Sequence, residues 1–136
     1  MPLNELISTI RVASCDVDSF GHVNNAVYLQ YCERARNDYM LQRGLKFDDF
    51  RAWDAGPVLF RAVLDYRRPA VVDDELRVLG EITSSGRTRF RIIHRVERVA
   101  DQAEICTATL EFAFVRLTSG RPCRVPLPFL AAFGIA

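Results

Sequence analysis

The sequence predicts an α+β domain in which one curved antiparallel sheet of about five strands wraps around one long helix. Three observations carry this. Only one stretch, beginning near residue 25, keeps apolar residues at helical spacing over several turns. The segments after it alternate apolar and charged residues with a period of two. Short clusters of Gly, Pro, Asp and Ser separate those segments, as hairpin-like connections require.

The elements follow in order. Residues 7–13, ISTIRVA, read as a first strand. The next stretch, DVDSFGHVNNAVY at 16–28, is rich in turn and cap residues, and Asn24 or Asn25 is the natural helix N-cap. Beyond it Tyr28, Tyr31, Cys32, Ala35 and Tyr39 form an apolar stripe, while Glu33, Arg34, Arg36, Asn37 and Asp38 lie mostly off it. Gly44 supplies the C-terminal stop. That gives a helix of about 19 residues, ~28 Å long.

In 57–66 the set Val58, Phe60, Ala62, Leu64 and Tyr66 shares one face of a strand. Strands at 75–83 and 88–98 alternate in the same way, and His94 falls on the apolar face of the latter as a satisfied core or interface residue. Residues 104–117 are apolar on both faces, which predicts a central strand. The tail PLPFLAAFGIA predicts a short terminal helix. The whole chain, 1–136, reads as one domain. One open sheet leaves edges to protect, and assembly into a homo-oligomer answers that need.

Composition narrows the function. Eighteen basic residues against seventeen acidic leave a net charge of +1, so nothing draws the whole molecule to nucleic acid or an anionic membrane. No signal peptide and no membrane-spanning apolar run is evident, and a reducing, cytoplasmic setting is expected. The four cysteines contain no CxxC pair and histidines are scarce, so neither a metal nor a redox cofactor is expected. Cys15, Cys32, Cys106 and Cys123 read as small buried hydrophobes.

There is no GxSxG, P-loop, GxGxxG or HExxH motif. Attention returns to 16–28. A helix starting at Asn24–Asn25 points unpaired N–H groups and a positive dipole end outward, which suits a developing oxyanion. Asp18 lies six residues earlier, and Gly21 lets the backbone turn between them. A carboxylate beside an electrophile held this way can act as general base or nucleophile on an acyl carbonyl. The same residues also make an ordinary strand end, turn and cap, and both readings stand on spacing alone. His22 has the same two readings.

The stretch D-x-D-x-x-G-H-V-N-N-x-x-Y-x-x-Y-x-E-x-A-R, residues 16–36, strongly resembles the 4-hydroxybenzoyl-CoA thioesterase branch of the hotdog-fold acyl-CoA thioesterases. The run Y-x-x-P-A-x-x-D-D-x-L at 66–76 is similar to the same family. The resemblance implies a hotdog fold, hydrolysis of acyl-CoA to a free acid and coenzyme A, no cofactor, and dimers that pair into tetramers. It implies Asp18 as the catalytic carboxylate and the Asn25 N–H as the group polarising the carbonyl, with Gly21 and His22 completing the candidate catalytic set. Asn24, Tyr28 and Glu33 become candidate substrate-binding residues, and Arg87, Thr88 and Arg89 candidate contacts for the coenzyme A phosphates. Two alternatives remain: a hydratase or dehydratase on the same fold using His22, and a non-catalytic acyl-CoA-binding module.

Overall fold

The computed structural model describes residues 5–135. Its elements run β1 (Glu5–Arg11), α1 (Val27–Gln42), α2 (Phe47–Trp53), β2 (Gly56–Tyr66), β3 (Glu75–Ser84), β4 (Arg89–Arg98), β5 (Glu104–Val115) and α3 (Leu127–Phe133). The strands form one five-stranded sheet in the order β1-β3-β4-β5-β2, with every neighbouring pair antiparallel. β5 lies between two partners, as its two apolar faces predict. The terminal helix is also present as α3. The short helix α2 had no sequence expectation; its start is fixed by the Asp49 carboxylate, which accepts the Lys46 N–H at 2.8 Å.

Helix α1 lies on the inner face of the sheet, and Tyr28, Tyr31, Cys32, Ala35 and Tyr39 are all buried. The helix is shorter than predicted, at 16 residues. At its C-terminal end Gly44 takes φ 78°, and the Leu45 N–H bonds back to the Met40 carbonyl at 2.8 Å. At its start the expected cap fails. Asn24 spends its side chain locally, accepting the Ala26 N–H at 3.0 Å, so the first helical residue is Val27.

Helix and sheet approach closely at one point. The Tyr39 hydroxyl donates to the Val78 carbonyl at 2.8 Å, and its ring lies over Gly80, where an added Cβ would stand 2.7 Å from Tyr39 Cε2. His94 stacks on the same tyrosine, with ring centroids 5.9 Å apart. His94 is fully buried, as its strand face predicts, yet it is unsatisfied: neither ring nitrogen has a hydrogen-bond partner among the described residues. Burial, reinforced by the Arg36 charge and only weakly opposed by the Leu79 backbone, pushes its pKa down to about 3. The imidazole is therefore neutral at physiological pH.

Strand β2 departs from simple alternation. Leu59 pairs with Phe112 and Arg61 with Glu111, leaving Phe60 as an extra, bulged residue. The bulge resets the faces. Ala62, Leu64 and Tyr66 sit opposite the buried Leu110, Ala108 and Cys106, whereas Val58 and Phe60 turn to the outer face, where the Arg89 guanidinium covers the Phe60 ring at 4.8 Å. The five residues predicted to share a face are thus split by one inserted position. The cysteine expectation also needs one correction: Cys32, Cys106 and Cys123 are buried, but Cys15 is exposed in the loop after β1.

Candidate active site

Residues 16–24 form a miniature hairpin. The Asn24 N–H bonds the Asp16 carbonyl at 2.9 Å, Val17 bridges Val23, and the Asp18 N–H bonds the His22 carbonyl at 2.8 Å. Gly21 makes the turn at φ 81°; nothing lies within 4 Å of a Cβ placed there, so the backbone conformation alone demands glycine. The hairpin brings Asp18 beside the start of α1 despite the intervening residues. It is anchored below by Asp16, whose carboxylate accepts the Tyr31 hydroxyl at 2.7 Å and the Ala13 N–H at 3.0 Å. Burial opposes ionisation of Asp16, but those two bonds outweigh it and hold the carboxyl below its usual pKa.

Asp18 is exposed and has two different oxygens. Oδ1 accepts the Phe20 N–H at 2.9 Å and the His22 N–H at 3.3 Å, tying the loop together. Oδ2 takes no hydrogen bond among the described residues. A cleft of about 220 Å³ opens beside it, lined by Asp18, His22, Asn25, Tyr28, Tyr66 and Arg68, among others. Asn25 lies in the turn that precedes α1. Its carbonyl accepts the Tyr66 hydroxyl at 2.9 Å, while its N–H has no partner among the described residues. The neighbouring Ala26 and Val27 N–H groups are both taken by Asn24. Among the backbone N–H groups of residues 24–27, that of Asn25 alone has no partner among the described residues, and Asn25 borders the same cleft as Asp18.

Asp18, His22, Asn25 and Tyr28 thus come together, with Gly21 shaping the loop behind them. Asn24 is adjacent as a structural brace. Tyr66, Arg67 and Arg68 also border the cleft, and sequence reasoning assigned them no role. The Y-x-x-P run was the available signal. Glu33 lies elsewhere, on a cavity along the side of α1.

At the opposite end of the sheet, beyond the β3–β4 hairpin, is a cavity of about 690 Å³. Arg87, Arg116 and Arg124 line it with Trp53, Leu127 and Leu130. None of the three arginines forms an ion pair among the described residues, although Arg116 donates to the Trp53 carbonyl at 3.0 Å. Of the arginine-turn candidates, only Arg87 reaches this cavity. Thr88 contributes its carbonyl to a bond from Phe114, and Arg89 covers Phe60. Among the described residues no helix is long and apolar enough to cross a membrane, and no group of three or more His, Cys, Asp or Glu could hold a metal.

A five-stranded antiparallel sheet wrapped around one long helix is the arrangement of a hotdog-type domain, and Asp18 and the unpaired Asn25 N–H stand at the entrance to that helix. The sequence profile of the Thioesterase-like superfamily matches residues 12–133, and the chain belongs to that family. It is similar to the 1,4-dihydroxy-2-naphthoyl-CoA hydrolase of Synechococcus elongatus, at 30% identity over 116 residues, covering 83% of this chain and 82% of the relative. It is also similar to the long-chain acyl-CoA thioesterase FadM of Escherichia coli, at 36% identity over 73 residues, 54% of each chain. The alignments span between 54% and 65% of the length of two of the curated relatives it matches. Among solved structures, the 1,4-dihydroxy-2-naphthoyl-CoA thioesterase Slr0204 from Synechocystis superposes with a TM-score of 0.89 at 21% identity, covering 96% of both chains, which establishes the hotdog fold.

Proposed function

We propose that this protein hydrolyses an acyl-CoA thioester to a free acid and coenzyme A. The observation that carries the reading is an unpaired backbone N–H on Asn25, a residue that lines the same cleft as Asp18. The thioester carbonyl oxygen accepts the Asn25 N–H, which stabilises the negative charge as the carbonyl carbon becomes tetrahedral. Asp18 Oδ2 either takes a proton from an attacking water or attacks directly. The C–S bond then breaks, and the coenzyme A thiolate leaves and is protonated. On the direct route, water next cleaves the resulting anhydride. Tyr66 donates to the Asn25 carbonyl and so fixes the Asn25–Ala26 peptide that follows the proposed donor.

The His22 ring bonds no carboxylate among the described residues, which favours hydrolysis over a His-dependent hydratase. The arginine cavity is the natural place for the coenzyme A phosphates, with Arg116 and Arg124 joining Arg87. Strand β4 separates it from Asp18, and its ten residues span ~33 Å, farther than a pantetheine arm reaches. A homodimer joined along β2 resolves this, because a second copy supplies the cleft. Val58, Phe60, Val63 and Tyr66 on that free edge strand are all exposed and give the contact its apolar content. Buried free thiols fit a reducing cytoplasm.

The test is thiol release from a panel of short, long and aromatic acyl-CoAs by wild type and Asp18→Asn. Turnover that falls by about 10³-fold or more in the variant is expected for loss of a general base or nucleophile. No turnover by a folded wild type on any member overturns the reading and leaves the binding module.

A further inference from the structure

The arginine cavity holds more than cations. Arg87, Arg116 and Arg124 border it, and no Asp or Glu among the described residues does. Phosphate groups answer those three charges. They leave the rest of the wall unanswered: Trp53, Val125, Leu127 and Leu130 are apolar, and Leu127 is 78% exposed. Trp53 is the chain's single tryptophan. It ends α2 and is half-buried, and its ring meets Phe50 at 71° with centroids 5.1 Å apart. Phe50 is itself buried and packs on Phe114 and Phe129, so a fixed aromatic cluster backs the indole.

The backbone around the indole is pinned. The Asp54 carboxylate accepts the Thr118 N–H at 3.0 Å and the Thr118 hydroxyl at 2.8 Å, tying the end of α2 to the loop after β5. Arg116 Nη1 donates to the Trp53 carbonyl at 3.0 Å, so one guanidinium is held at the residue that carries the ring. The Val125 N–H bonds the Arg87 carbonyl at 2.9 Å, which joins the segments of the other two arginines. Ring and cations therefore come together within a single chain. A flat aromatic ring held beside guanidiniums suits a nucleotide, whose base stacks while its phosphates are bonded. The volume, about 690 Å³, lies in the roughly 300–1,000 Å³ range of small-molecule sites. We propose that Trp53 stacks on the adenine base of coenzyme A, so that the cavity recognises the carrier of the acyl group by its base as well as its phosphates. This rests on the thioesterase reading. It names the residue that selects coenzyme A over a carrier whose pantetheine arm bears one phosphate and no base.

Because the chain has no other indole, the fluorescence of Trp53 reports the contact directly. Wild type is excited at the red edge of indole absorption, where adenine is transparent, and titrated with coenzyme A, adenosine 3′,5′-bisphosphate and 4′-phosphopantetheine. The expected result is saturable quenching by the two adenine ligands and none by phosphopantetheine at the concentrations that saturate them. Calorimetry supplies the Kd for coenzyme A in wild type, Trp53→Leu and Trp53→Phe. Loss of the aromatic face should weaken binding by about tenfold or more in Trp53→Leu, with most of the affinity restored in Trp53→Phe. Calorimetric binding of coenzyme A that leaves the fluorescence unchanged overturns the proposal. So does no binding of coenzyme A, a Trp53→Leu Kd equal to that of wild type, or a loss that Trp53→Phe does not restore. The fluorescence arm uses wild type alone and decides the question should Trp53→Leu fail to fold. If the adenine ligands quench as expected but wild type releases no thiol from any acyl-CoA, the hydrolysis reading fails and the Trp53 contact stands. Thiol release without quenching sinks only the contact.

Discussion

Asp18 holds its own loop together and also borders the candidate cleft. Its Oδ1 accepts two N–H groups from the turn it belongs to, while Oδ2 accepts none among the described residues. The strand-end reading and the active-site reading of the sequence therefore describe two oxygens of the same carboxylate. Tyr66 acts one bond farther out. Removing its hydroxyl in Tyr66→Phe frees the Asn25 carbonyl, and steady-state kinetics should show kcat lowered roughly three- to tenfold, the loss of about one hydrogen bond. His94 makes a prediction about pH. Its folded pKa of about 3 lies below the ordinary 6.5, so the unfolded chain binds more protons between those values. Stability contributed by the neutral ring is complete above pH 6.5 and declines as pH falls toward 3, with a slope approaching about 1.4 kcal/mol per pH unit. Denaturant titrations across that range should show a shallower slope in His94→Leu. Asp16, held below its ordinary 3.8, adds to the loss once the pH falls below that value.

At the scale of elements, the helix and the sheet meet through Tyr39 and Gly80. A methyl group there would stand 2.7 Å from the tyrosine ring, which is also fixed by its bond to Val78. Gly80→Ala should lower stability by about 1–3 kcal/mol, measured by chemical denaturation, because neither partner can retreat. Strand β2 shows what a period-two pattern misses. Val58, Phe60, Ala62, Leu64 and Tyr66 look equivalent in sequence, yet the bulge at Phe60 sends the first two outward. A bulge depends on how the neighbouring strand, β5, pairs, and that pairing is set by residues far away in sequence. The start of α1 has the same lesson. Asn24 is an excellent cap by type, but its bond to Ala26 moves the helix start past Asn25 and leaves the Asn25 N–H unpaired.

Two of the molecule's ligand-sized features lie at opposite ends of one sheet. The carboxylate cleft lies where β2 ends, and the arginine cavity beyond the hairpin where β4 begins. A dimer along β2 brings the two kinds of site together, so activity and assembly should fall together. A charge in the exposed edge, Val63→Arg, should yield monomers by analytical ultracentrifugation, and those monomers should lose thioesterase activity while remaining folded by circular dichroism.

The sequence by itself determined the fold class, the single long helix and its buried stripe, the central place of β5, and the loop that carries Asp18, Gly21, His22 and Asn25. These depend on local periodicity and local turn chemistry, which neighbouring residues encode directly. Only the tertiary structure decided that Tyr66 bonds the Asn25 carbonyl, that Arg116 and Arg124 join Arg87 while Arg89 turns away, and that Arg36 Nη1 and the His94 ring nitrogens are buried without a hydrogen-bond partner among the described residues. Each of those outcomes depends on which distant segments the folded sheet brings together, and no spacing along the chain records that.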